Sequence, residues 1–101
     1  MEIRKEASAG TLESSDVMVT VSPNEGGGRK IEIDSPVLKL YEEQMLSIIN
    51  ASLDKMGVKD AALFLKDRGA IDCVIRARVM AAVSRAAGEE YDWSLEDVKK
   101  A

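Results

Sequence analysis

Between Leu38 and Met56 the apolar residues Leu38, Tyr41, Met45, Ile48, Ile49, Leu53 and Met56 recur at three- and four-residue steps. That spacing places them on one stripe of a helix, and a stripe so continuous demands a surface to cover it. The chain supplies one upstream. Val17, Val19 and Val21 alternate with Met18, Thr20 and Ser22, and Ile31 and Ile33 alternate with Lys30, Glu32 and Asp34 over residues 29 to 34. A period of two residues is that of strands with one buried face. Ser35-Pro36 opens the helix, with the serine able to cap free amides and the proline able to sit in the first turn, and Gly57 supplies its stop. The methionines of the stripe read as ordinary core filling ahead of an adaptable docking surface.

The remaining segments fit the same plan. Residues 3 to 12 mix Ile3, Ala7, Ala9 and Leu12 with polar neighbours and suggest a short first strand. Pro23 to Gly28 breaks the chain after Val21 and reads as a hairpin connection; no Gly-Lys-Ser/Thr ending follows the three glycines, so it is not a phosphate-cradling loop. Ala61 to Leu65 is a fourth strand with Leu63 and Leu65 on one face and Phe64 on the other. Gly69 turns into a second helix from Ala70 to Ala87, in which Ile71, Val74, Ile75, Val79, Ala82, Val83 and Ala86 form the buried side. The order strand, strand, strand, helix, strand, helix predicts an α+β domain: a small antiparallel sheet of about four strands with two amphipathic helices packed on one face. Residues 1–88 make one domain, and residues 89–101 form a charged C-terminal tail carrying Tyr91 and Trp93.

Composition removes several function classes. A net charge of −4 argues against a general nucleic-acid or anionic-membrane binder. No apolar run approaches the roughly 18 residues of a membrane span, and the charged start Met1 to Glu6 does not resemble a secretory signal, which leads to the expectation of a cytoplasmic protein. Cys73 has no second cysteine to pair with and reads as a buried small apolar residue. Glu13, Asp16, Asp67 and Asp72 can be imagined as a metal or acid-base cluster, but without histidine or paired cysteines the sequence gives no metal site.

Chemistry concentrates instead at Ala9-Gly10-Thr11-Leu12-Glu13-Ser14-Ser15-Asp16-Val17, a hydroxyl-bearing turn between two strands. Ser14 at its tip is exposed on this reading. With no histidine in the chain there is no base of the usual kind to activate it, which argues against self-contained serine hydrolysis. Two roles are left: a serine that another enzyme modifies, or one that shapes a turn. Arg76, Arg78 and Arg85 give the second helix a basic edge, either a solvated face or a set of contacts to phosphate or a partner.

Two blocks carry a resemblance. Gly10-Thr11-Leu12-Glu13-Ser14-Ser15-Asp16-Val17-Met18 is similar to the N-terminal signature of the citrate lyase acyl carrier proteins, the gamma subunits of that complex. Asp67-Arg68-Gly69-Ala70-Ile71-Asp72-Cys73-Val74-Ile75-Arg76-Ala77-Arg78 resembles that family's second shared segment, in the expected order. The resemblance implies that Ser14 bears a covalently attached phosphoribosyl-dephospho-coenzyme A (phosphoribosyl-dephospho-CoA) arm through a phosphodiester, with Ser15 as the local competitor. It implies a terminal thiol carrying acetyl or citryl thioesters, and a non-catalytic carrier whose chemistry is done by alpha (acyl transferase) and beta (citryl lyase) subunits after an arm-transferring enzyme has loaded it. The carrier subunit of malonate decarboxylase is the nearest alternative, and an interaction domain in which Ser14 is only a turn residue is the other.

Overall fold

A computed structural model describes residues 1–91 of the 101-residue chain. In chain order the elements are β1 (Ala7–Gly10), β2 (Val17–Ser22), β3 (Arg29–Asp34), α1 (Leu38–Lys55), β4 (Ala61–Asp67) and α2 (Asp72–Ala87). The α+β class, with four strands and two helices, is as the sequence predicts. The sheet, however, is mixed. Its order is β1-β2-β4-β3, with β1–β2 and β2–β4 antiparallel and β3–β4 parallel, Arg29 opposite Ala61 and Asp34 opposite Lys66. β4 is inserted between β2 and β3, so Pro23 to Gly28 is not a hairpin turn but a loop that spans the slot β4 fills. The parallel pair follows from α1: a helix between two strands returns the chain to its starting edge and lets the next strand run the same way.

Burial follows the two-residue period. Val17, Val19 and Val21 of β2 and Ala61, Leu63 and Leu65 of β4 are buried beneath the helices, and Ile31 and Ile33 of β3 are half-buried. The opposite face carries Ser8 hydrogen-bonded to Thr20 across β1–β2, and the Lys66 ammonium above the Phe64 ring. From α1, Met45, Ile49, Leu53 and the following Met56 fill the core; from α2, Ile75, Val79, Met80, Val83 and Ala86 do. Arg29 fastens the start of β3 to the far end of α1 by donating to Asn50, Asp54 and the Val58 carbonyl.

Three helix-end expectations are corrected. α1 starts at Leu38, and no side chain caps it. The Ser35 hydroxyl is recruited by the buried Asp67 carboxylate at 2.8 Å, although it also receives the Val37 amide at 3.3 Å. α2 starts at Asp72, so Ile71 lies before the helix and is 66% exposed instead of buried. Cys73, in the first turn of α2, is exposed as well. Gly57 does end α1: it takes φ +67°, and the Val58 amide reaches back to the Leu53 carbonyl at 2.9 Å.

Asp67 is 1% exposed, and its two oxygens join three elements: one accepts the Ser35 hydroxyl just after β3, the other the Ala70 amide before α2 at 2.9 Å. Both partners depend on it. Asp67→Ala leaves a half-buried hydroxyl and amide without their acceptor, and is expected to lower stability by about 2–3 kcal/mol in urea unfolding. Ser35→Ala is expected to cost about 1 kcal/mol, since the carboxylate keeps its amide donor.

Candidate functional site

Ser14 stands at the second position of a four-residue turn, closed by the Asp16 amide donating to the Glu13 carbonyl at 3.1 Å. Ser15, at the third position, has φ +67°, the left-handed conformation that a type II turn requires there. A non-glycine residue holds that conformation only when its surroundings enforce it. They do so from both sides. The Ser15 amide donates to the Arg68 carbonyl at 2.8 Å and the Arg68 amide to the Asp16 carbonyl at 2.9 Å, so the β2–β4 ladder continues into the turn itself.

Side chains complete the hold. Asp16, 14% exposed at its side chain, has every strong acceptor direction used. Arg78 of α2 grips it with two bonds, Nε to Oδ1 at 3.1 Å and Nη2 to Oδ2 at 3.0 Å, while the Thr11 hydroxyl donates at 2.6 Å and the Val17 amide at 2.7 Å. The Thr11 hydroxyl also accepts the Glu13 amide at 3.2 Å. Arg78 first, then Thr11 and the Val17 amide, hold the Asp16 carboxyl well below the usual carboxylate range. A paired fork of this kind fixes position as well as charge.

β1 approaches β2 closely at this end. Gly10 has φ +99°, and a β-carbon there would lie 1.8 Å from the Val17 carbonyl oxygen. Only glycine fits.

The other sequence candidates separate in space. Ser14, Ser15 and Glu13 are exposed at the tip, and among the described residues no side chain engages the Ser14 hydroxyl. Asp67 is structural, and Asp72 accepts both of its bonds from Gln44 of α1 at 2.9 and 2.8 Å. Among the described residues no group of three His, Cys, Asp or Glu side chains converges on a metal position. Of the three arginines, only Arg78 reaches the turn; Arg85 donates to the Ser8 carbonyl at 2.7 Å, and Arg76 faces a groove beside Asp54 and Lys55 of α1. Sequence reasoning missed the Asp16–Arg78 pair, whose members are 62 residues apart, and Thr11 as its local partner. Thr11 and Asp16, five residues apart around a Ser-Ser turn, were the available local signal.

Two outcomes follow from this geometry. Gly10→Ala combines left-handed strain with a backbone clash and is expected to destabilise by on the order of 3 kcal/mol in urea unfolding. Because the folded-state pKa of Asp16 lies below its unfolded value of about 3.9, its stabilising contribution is complete above about pH 4 and is lost as pH falls toward the folded value. The stability gap between the native chain and Asp16→Asn, read from urea midpoints, is therefore expected to be widest near about pH 6 and to shrink steadily toward about pH 2.

A family model described as the malonate decarboxylase delta subunit (MdcD) matches residues 4–86. The citrate lyase acyl carrier protein of Streptococcus equi subsp. equi (strain 4047) is 49% identical over 94 residues, which cover 92% of this chain and 92% of that protein. The proteins of the same name from Vibrio cholerae serotype O1 (strain M66-2) and Lacticaseibacillus casei (strain BL23) are 45% and 46% identical, covering 93% and 92% of this chain and 97% and 92% of their own lengths. With the match running through the Ser14 turn, the whole sheet and both helices, this chain belongs to the citrate lyase acyl carrier protein family.

Proposed function

We propose that this chain is the acyl carrier subunit of a citrate lyase complex and that Ser14 bears a phosphoribosyl-dephospho-coenzyme A arm through a phosphodiester bond. The observation that carries the reading is the state of the Ser14 hydroxyl: exposed, at the tip of a turn that is held by bonds none of which use it. A transferase can reach it without disturbing the fold. The residues present fit such a group. Asp16 is neutralised by Arg78, and Arg68, exposed beside the turn, offers a cation to a phosphodiester on Ser14, with the exposed Glu13 carboxylate opposing it. Ser15 also has an exposed hydroxyl, but its amide is tied to Arg68.

When bound, the arm supplies a terminal thiol able to carry acetyl and citryl groups as thioesters. The chain's own contribution is a fixed pedestal. It contains no histidine, and its only cysteine lies outside the turn, so Ser14 has no usual catalytic partner. Acyl exchange and citryl cleavage belong to the alpha and beta subunits, and attachment belongs to an arm-transferring enzyme. The family model's description favours one second reading, a malonyl carrier of malonate decarboxylase. Identity of 45–49% over nearly the full length to proteins named for citrate lyase supports the first.

Co-expression with the arm-synthesising and arm-transferring enzymes, followed by intact and peptide mass spectrometry, is expected to give an adduct on Ser14 that Ser14→Ala lacks. The substitution is expected to leave the urea midpoint unchanged and to abolish activity of the reconstituted complex on citrate. An adduct on Ser15 moves the site. No adduct, with the enzymes shown active on another carrier, overturns the reading, and turnover of malonate in place of citrate selects the alternative.

A further inference from the structure

The apolar pattern of the sequence and the burial in the fold disagree at three residues: Tyr41, Ile71 and Cys73. Each reads as buried, yet Tyr41 is 47% and Ile71 66% exposed, and Cys73 is exposed too. All three line one cleft of 660 Å³ between the first turns of α1 and α2, whose walls include Val37, Ala70 and Ile75. Three side chains patterned for burial and left bare on one concave surface indicate that something covers them.

Position selects the occupant. β2 begins and β3 and β4 end at the same edge of the sheet, Val17 opposite Asp67 and Asp34 opposite Lys66, so the Ser14 turn and the starts of both helices share one end of the molecule. The link is direct: Arg68, whose carbonyl receives the Ser15 amide, is two residues before Ala70 in the cleft wall. Along this path the cleft opens within about 17 Å of Ser14, at 3.8 Å per chain step and about 5 Å for one strand spacing. The described chain leaves α2 at the opposite end, about 24 Å of helix away, whereas the Ser14 turn shares the cleft's own end.

We propose that this cleft is a docking site for the arm on Ser14, holding its pantetheine segment against the carrier between visits to partner subunits. The proposal rests on the carrier reading above. Pantetheine alternates short methylene runs with amides, which suits a wall of apolar side chains that also includes Tyr41 and the hydrogen-bonded Gln44–Asp72 pair. An arm long enough to enter a second subunit's active site is long enough to fold back here. Cys73 is the reporter of occupancy, since an exposed thiol beneath a docked arm loses its access to reagent.

The test compares iodoacetamide alkylation of Cys73 in the unmodified full chain with that in the chain carrying an S-acetylated arm, whose own thiol is blocked. Intact mass first establishes that the arm is present. Alkylation is expected to slow about tenfold in the loaded chain, as it would if the cleft were filled nine-tenths of the time. Ile71→Asp in the loaded chain is expected to restore the faster rate; Tyr41→Ala is the second variant should the aspartate disturb folding. Equal rates with the arm present overturn the docking site and leave the carrier reading intact; equal and slow rates assign the cover to residues 92–101 instead. Protection that grows with protein concentration overturns it in favour of a second copy. Failure to load the arm overturns both.

Discussion

The bidentate pair between Asp16 and Arg78 joins the tip of a two-stranded hairpin to the helix that lies across it. A short β1 of four residues and a turn with a left-handed serine have little stability of their own. Arg78 supplies the missing constraint from α2, which is fixed by Val79, Met80, Val83 and Ala86 in the core. The carboxylate is desolvated, but four donors meet it, so burial does not leave an orphan charge. The turn is therefore tied to both the sheet and α2, and Ser14 stands exposed on that base.

The second constraint is the insertion of β4. Because α1 returns the chain between β2 and β3, both helices leave the sheet from the same end, and that end also carries the Ser14 turn. Asp67 sits where these parts meet and binds Ser35 on one side and Ala70 on the other. One buried carboxylate thereby ties the segment entering α1 to the segment entering α2, beside the cleft. The far end and the outer face of the sheet hold none of the proposed machinery.

Local signals were legible and distant ones were not. The alternation at Val17 to Val21 and at Ile31 and Ile33 gave β2 and β3 with correct inward faces, and β3 with its observed bounds, because a two-residue period is a property of neighbours. Strand order was invisible: adjacent strands in sequence suggest a hairpin, and only the parallel β3–β4 ladder reveals the slot. Ser35 has the composition of a cap, but Asp67, distant in sequence, takes its hydroxyl. Arg76, Arg78 and Arg85 are alike in one dimension, and only their positions around α2 separate the one that grips Asp16. Ile71 was assigned to a buried helix face that begins one turn later, and Cys73, read as a buried small residue, is exposed in the first turn of α2. Of the segment read as a charged tail, Glu89 and Glu90 are exposed and Tyr91 packs half-buried against the core, whereas Trp93 lies outside the described residues.

On the proposed function, a β-turn offers a carrier something different from a helix start. A serine where a helix begins is drawn into capping the free amides. At Ser14 the capping work is done by others: Thr11 takes the Glu13 amide, Asp16 the Val17 amide, and Arg68 the Ser15 amide. The hydroxyl is thus available for a phosphodiester with no hydrogen bond to replace, and loading it leaves the turn's bonds in place. All conformational freedom then resides in the arm, whose effective concentration at each partner is set by its length from one fixed point. On the docking proposal, an arm lodged in the cleft at the same end gives up some of that freedom, trading slower search for a thioester held close to the carrier.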